Sequence, residues 1–242
     1  MLKVLFTRPF FPSDIDYIRS RVPSEVDLII PNQFSSNEIV KFCGDVDMLF
    51  GGYISEEILE TAKKLKCLQV PWTGVDNLDF SLLKKYKLTV CNSHSNSLVV
   101  AEHAVALMFD AAKKLSYHDR YLRQGIWNRP SSVNSLSLTP FSRKIFNSNI
   151  GIIGFGNIGR DIHRLLSGFS CNFKVFNRTL KKMKLSNTIF YNIDDILNEL
   201  ETIDFLFISV PLTEQTFGLV DKSFFHATFS QLLSVVQKLR FH

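Results

Sequence analysis

Short apolar runs alternate with stretches of helical period along the first hundred residues. Residues 3–6, 27–30, 47–50, 67–70 and 88–91 are strand-length apolar runs. Between them, residues 12–20, 36–42, 55–64 and 80–85 space their apolar positions as helices do. In the first of these helices Ile15 and Ile18 share a face and Ser13 is the expected N-cap. The segment Ser55, Glu56, Glu57, Ile58 places two carboxylates in a first turn, where the helix dipole favours them. This βαβα rhythm predicts a parallel sheet covered by helices on both faces.

Residues 99–123 form the longest helical stretch, with Ala101, Ala104, Val105, Met108, Ala111 and Ala112 at helical spacing and no Gly or Pro among them. The run GIWNRP (125–130) breaks it, and a Ser-rich loop follows over 131–142. A domain junction is expected on this helix, dividing the chain into 1–98 and 99–242. The second part restarts with a strand at 149–153. A helix over 160–166 and strands at 172–176 and 204–210 come after it.

A length of 242 residues fits one large domain or two small ones, and 45% hydrophobic residues suffice for an ordinary core. The net charge of +5 is spread along the chain except at Arg178, Lys181, Lys182 and Lys184. A nucleic-acid protein gathers its basic residues on one stripe, so no nucleic-acid partner is expected. Cys43, Cys67, Cys91 and Cys171 lie far apart in the sequence without a C-x-x-C pair, which argues against a zinc site or a disulfide framework and points to reduced thiols in the cytoplasm. The N-terminal apolar run is too short for a signal peptide, and no stretch has the roughly 18 apolar residues of a membrane span.

The strongest chemical signal is GFGNIG (154–159), a G-x-G-x-x-G turn that follows an apolar strand and opens a helix. Gly154 permits the tight turn, Gly156 lets a pyrophosphate approach the backbone, and Gly159 lets helix and strand pack closely. The free N–H groups at the helix start favour the phosphates. About 20 residues on, NAD-selective proteins carry an acidic residue against the ribose. Here Asn177 and then Arg178 stand at that point. Asn does not repel a 2′-phosphate and Arg pairs with one, so the cofactor is NAD(P), leaning to NADP. The alternative is that Arg178 and its lysines are a solvated surface run. Val210 and Pro211, at the end of the 204–210 strand, are expected beside the cofactor; for Pro211, strand-end packing serves equally.

The chain resembles the D-isomer-specific 2-hydroxyacid dehydrogenase family. The segments carrying the resemblance are LQVPWTGVDN (68–77), CN (91–92), NSLVVAEH (96–103), LRQGIW (122–127), the glycine turn, and SVPLTEQT (209–216). Their order and spacing match over about residues 45–226, and TGVDN (73–77) with NSL (96–98) is most similar to the phosphoglycerate dehydrogenase branch. The resemblance implies an α/β chain, a flavodoxin-like substrate lobe followed by a Rossmann dinucleotide-binding domain. It implies hydride transfer between NAD(P) and a small 2-hydroxy or 2-oxo acid, and a homodimer. The backbone of Thr73, Gly74 and Val75 would hold the substrate carboxylate, with Thr73 also near the nicotinamide. Ser97 stands where the family often has a Thr near the cofactor. Asn157 and Ile158 would meet the pyrophosphate through their N–H groups. Glu102 and His103 match the family and are read as packing and dimer contacts. Tyr53, beside Gly51 and Gly52, either meets substrate or packs.

The resemblance also implies an Arg after a fifth strand reading roughly V-N-x-x-R-G, then a carboxylate and a His. The pattern stops near His226, and residues 227–242 read ATFSQLLSVVQKLRFH. Arg240 falls close to the expected Arg in surroundings that do not match. None of the six histidines (His94, His103, His118, His163, His226, His242) has the catalytic context, so no catalytic residue is assigned. A frameshift or premature stop is expected, leaving an incomplete Rossmann domain truncated after about 226. Its fourth strand would then be a bare apolar edge, in an unstable chain without turnover. A dinucleotide-binding regulatory module without catalysis is the alternative.

Overall fold

The computed structural model describes residues 1–126, 142–180, 183–222, 224 and 233–236. The chain divides into two compact units, Met1–His94 and Ser95–His242. The sequence reading puts the junction a few residues later, at 98/99.

In the first unit β1 (Leu2–Phe6), β2 (Val26–Ile29), β3 (Met48–Phe50), β4 (Cys67–Val70) and β5 (Thr89–Asn92) form one parallel sheet in the order β2-β1-β3-β4-β5. Its helices are α1 (Pro12–Arg19), α2 (Ser36–Phe42), α3 (Glu56–Thr61) and α4 (Phe80–Lys85). Leu5, Leu49, Leu68 and Val70 from the strands pack with Ile39 and Ile58 from the helices. The expected cap Ser13 lies inside α1: Pro12 takes the first helical position, for which its fixed φ suits it, and Phe11 precedes it without a side-chain cap. Ser55 does cap α3, accepting from the Ile58 N–H at 3.3 Å. That helix ends at Thr61, short of the expected residue 64, because Ala62 leaves helical backbone at φ −82°, ψ 68°.

The second unit opens with α5 (Ser97–Lys113) and α6 (Leu115–Arg123). The single helix expected over 99–123 is therefore two. Lys114 breaks it with a left-handed φ of 57°. Asp110 then caps the new helix, accepting from the Ser116 N–H at 2.7 Å and its hydroxyl at 2.8 Å.

The strands β6 (Asn149–Ile153), β7 (Asn172–Asn177), β8 (Thr188–Asn192), β9 (Phe205–Ile208) and β10 (Leu233–Val236) form a second parallel sheet, ordered β10-β9-β6-β7-β8. The remaining helices are α7 (Asn157–Leu166), between β6 and β7, and the short α8 (Ile196–Glu199). Period-two alternation splits the strands between two faces. Ile150, Ile152, Phe173, Val175, Phe205 and Phe207 pack with Ala101, Ala104, Met108 and Ala112 of α5 and with Ile162 and Leu166 of α7. Ile153, Phe176, Leu206 and Ile208 pack on the other side with Ile196 and Leu200.

The bare β9 edge expected from the sequence is not found. The backbone of β10 pairs with it from Leu233↔Phe205 to Val236↔Ile208, so β9 is bonded on both sides. Residues 127–141, Lys181, Lys182, His226, Arg240 and His242 lie outside the described residues. Among the described residues, no helix is long and apolar enough to cross a membrane.

Candidate functional site

The turn from β6 into α7 is built by exclusion of side chains. Gly154 has φ +90°, and a Cβ there would stand 2.8 Å from the Ser209 carbonyl oxygen and 2.9 Å from Val210 Cγ1. A Cβ on Gly159 would overlap the Gly154 carbonyl oxygen. Gly156, the N-cap of α7, is different: its φ is −79°, and a Cβ there would meet nothing within 4 Å. Gly154 and Gly159 therefore serve the fold, while Gly156 keeps the space in front of the helix open. The first-turn N–H groups of Asn157, Ile158 and Gly159 have no acceptor within the helix. The first turn carries no acidic residue and the N-cap makes no side-chain bond. This cradle fits a pyrophosphate.

Two strand ends brace the turn. The Gly154 N–H donates to the Phe176 carbonyl at 2.9 Å, and the Phe155 N–H donates to Asn177 Oδ1 at 2.8 Å. Asn177 Nδ2 is buried without a partner among the described residues. On the β9 side, the Ser209 hydroxyl donates to the Gly154 carbonyl at 2.7 Å. Ser209 was not singled out from sequence; its signal is a small hydroxyl residue at the end of an apolar strand. Val210 packs on the core beneath, while Pro211 is exposed and its carbonyl accepts from the Thr216 hydroxyl at 2.6 Å. Arg178 is exposed beyond β7 and donates through Nη1 to Gln215 Oε1 at 2.7 Å.

Ser97, at the start of α5, donates its hydroxyl to Asp161 Oδ2 on α7 at 2.9 Å, and Asp161 also pairs with Arg164 at 3.1 Å. His163, on the same helix, is half-buried with its ring 4.2 Å from that of Phe173 and Nε2 2.9 Å from Thr188 Oγ1. Burial pushes its pKa below the ordinary imidazole value.

In the first unit, the loops after β1, β3, β4 and β5 leave from one edge of the sheet. Thr73, Gly74 and Val75 follow β4 and are partly buried. Thr73 Oγ1 donates to the Ser93 carbonyl at 3.0 Å, and Asn92 Nδ2 donates to the Thr73 carbonyl at 2.7 Å, tying this loop to the end of β5. The Tyr53 hydroxyl is 2.6 Å from Ser36 Oγ. Among the described residues no group of His, Cys, Asp and Glu is placed to hold a metal.

A family model described as D-isomer specific 2-hydroxyacid dehydrogenase, NAD binding domain, matches residues 105–233. Among curated proteins, the chain is 25% identical over 228 residues to a D-3-phosphoglycerate dehydrogenase of Archaeoglobus fulgidus, covering 93% of this chain and 41% of that protein. It is 26% identical over 232 residues to a glyoxylate reductase of Pyrococcus furiosus, covering 91% and 66%. The chain thus spans about two-fifths to two-thirds of the length of these relatives. Among solved structures, a 2-hydroxyacid dehydrogenase from Ketogulonicigenium vulgare has a TM-score of 0.74 at 20% identity, covering 98% of this chain and 73% of that one. An NADPH-dependent glyoxylate/hydroxypyruvate reductase from Sinorhizobium meliloti, solved with NADP and malonate, has the same TM-score at 19% identity, covering 96% and 70%. These structural likenesses show the fold.

Proposed function

Because this chain belongs to the D-isomer-specific 2-hydroxyacid dehydrogenase family, we propose that it binds a nicotinamide dinucleotide at the β6–α7 turn and interconverts a small 2-hydroxy acid and its 2-oxo acid. The observation that carries this reading is the open space at Gly156 in front of the unpaired N–H groups of α7. Asn157 and Ile158 hold the pyrophosphate through those groups, and Ser209 and Asn177 keep the turn in shape beneath it. Val210 and Pro211 border the dinucleotide. The backbone of Thr73, Gly74 and Val75 receives the substrate carboxylate, and Ser97 is a contact of the dinucleotide. When bound, the dinucleotide supplies or accepts the hydride at C2 of the acid.

The cofactor is NADP in this reading. β7 ends in a neutral Asn177, whose oxygen is already taken by the Phe155 N–H, so no carboxylate faces the ribose from there. Arg178 is exposed and exchanges its bond to Gln215 for a charge-assisted pair with the 2′-phosphate. Arg178→Ala is expected to weaken NADPH binding by about tenfold and NADH binding much less. Equal losses for the two would refute the NADP assignment, and no binding of either dinucleotide to the wild-type chain would overturn the reading as a whole.

The reading also places the chain in the cytoplasm, which the free thiols support; burial holds the Cys43 thiol up at about 11. It makes the chain a homodimer, a state supported by the exposed apolar side chains Leu98, Val99, Leu107, Leu115 and Leu122 on α5 and α6.

A further inference from the structure

The strand order of the first unit reverses between β1 and β3, because the chain goes from β1 to β2 on one side and then returns to β3 on the other. Parallel sheets of this kind receive ligands in the crevice at the carboxyl ends of such strands. Thr7 and Arg8 follow β1 there, and Gly51 and Gly52 follow β3. The Thr7 N–H donates to the Phe50 carbonyl at 3.0 Å, which holds the two exits together.

Arg8 is presented by a fixed platform. Its guanidinium carbon lies 4.7 Å from the centre of the Trp72 ring and 5.7 Å from that of Phe10, within cation–π range. Trp72 is held from two sides. A side chain at Gly52 would strike its ring, with Cη2 at 2.6 Å from the added carbon, and its carbonyl accepts from the Ser93 N–H at 3.3 Å. A guanidinium stacked on a ring face keeps its N–H edges free to pair with a planar anion.

Among the described residues no acidic group pairs with those edges. The acidic groups in the ion pairs of this unit are Asp45, Glu38 and Glu56, each taken by a lysine, and Arg8 has no hydrogen-bond or ion-pair partner among the described residues. The Thr7 hydroxyl, buried under Gly51, has no hydrogen-bond partner among the described residues either. Trp72 is also the residue immediately before the Thr73–Val75 loop.

We infer that Arg8, stacked on Trp72, is a specificity residue that recognises a second anionic group, carboxylate or phosphate, on the 2-hydroxy acid. This rests on the proposed role of the Thr73–Val75 loop, which takes the first carboxylate and leaves the guanidinium for another charge. A substrate lacking the second group leaves Arg8 solvated and gains nothing from it.

Calorimetric titration of the full chain with glycolate, D-lactate, D-malate and D-3-phosphoglycerate tests this. The two doubly functional anions are expected to bind at least about tenfold more tightly than the two simple acids. Whichever of D-malate and D-3-phosphoglycerate has the larger advantage identifies the group as carboxylate or phosphate. In Arg8→Gln the advantage is expected to fall nearly to one. An advantage that is missing in the wild-type chain, or that survives Arg8→Gln, overturns the role of Arg8 while leaving the 2-hydroxy acid reading intact. If none of the four binds, both fall.

Discussion

Gly156 and Gly159 lie on one turn and answer opposite demands. Gly159 faces the Gly154 carbonyl oxygen, so any side chain there drives the helix off the strand. Gly159→Ala is expected to destabilise the second unit by roughly 1–3 kcal/mol, the usual cost of overpacking. In a protein of this size that lowers the melting temperature by about 2–4 °C per kcal/mol. A melting curve matching that of the wild-type chain would show that the turn yields freely. The glycine spacing was legible in the sequence, because it recurs wherever backbone must meet phosphate. The division of labour among the three glycines was not, since it depends on what lies opposite each one. Asn177 shows the same limit. Its place at the end of β7 marked it as a cofactor selector, yet its oxygen braces the turn through the Phe155 N–H, 22 positions earlier in the chain.

At the scale of elements, α7 and β8 meet through His163. Its ring packs against Phe173 and Phe155, and Thr188 on β8 is the hydrogen-bond partner of Nε2. Burial favours the neutral imidazole, so the folded-state pKa lies below the ordinary 6.5. The sign follows from linkage: above 6.5 the ring is neutral in both states and stability is intact. As pH falls below 6.5 the unfolded chain takes up the proton first, and stability declines until the folded-state value is passed. The melting temperature of the wild-type chain is expected to drop as the pH falls below about 6.5, and to drop less in His163→Phe. Equal slopes for the two would contradict this. The elements that escaped sequence reading have physical reasons for doing so. β8 is an edge strand, with only partial burial to impose an apolar pattern. The α5–α6 break rests on a left-handed Lys114 and an Asp110 cap, and neither disturbs helical periodicity. The apolar strands β6 and β9, buried throughout their last four residues, were plain in the sequence.

Across the whole molecule, two parallel sheets each gather loops at the carboxyl ends of their strands, which is where open α/β sheets bind ligands. Their repeated strand–helix alternation made the fold class legible. The last residues were the hardest to read: the sequence pattern fades near His226, yet the family match reaches residue 233 and the backbone of residues 233–236 pairs with β9. The central claim is that the β6–α7 turn binds a dinucleotide. Gly156→Ala addresses it most directly, because the added methyl meets no protein atom within 4 Å at an ordinary backbone φ. The measurement is the dissociation constant of NADPH and NADH by calorimetry for the wild-type chain and this variant, with their melting temperatures alongside. The prediction is micromolar or tighter binding to the wild-type chain and a loss of at least about tenfold in the variant, near 1.4 kcal/mol, at an unchanged melting temperature. Equal affinity in the two proteins, or no binding to the wild-type chain, would contradict it.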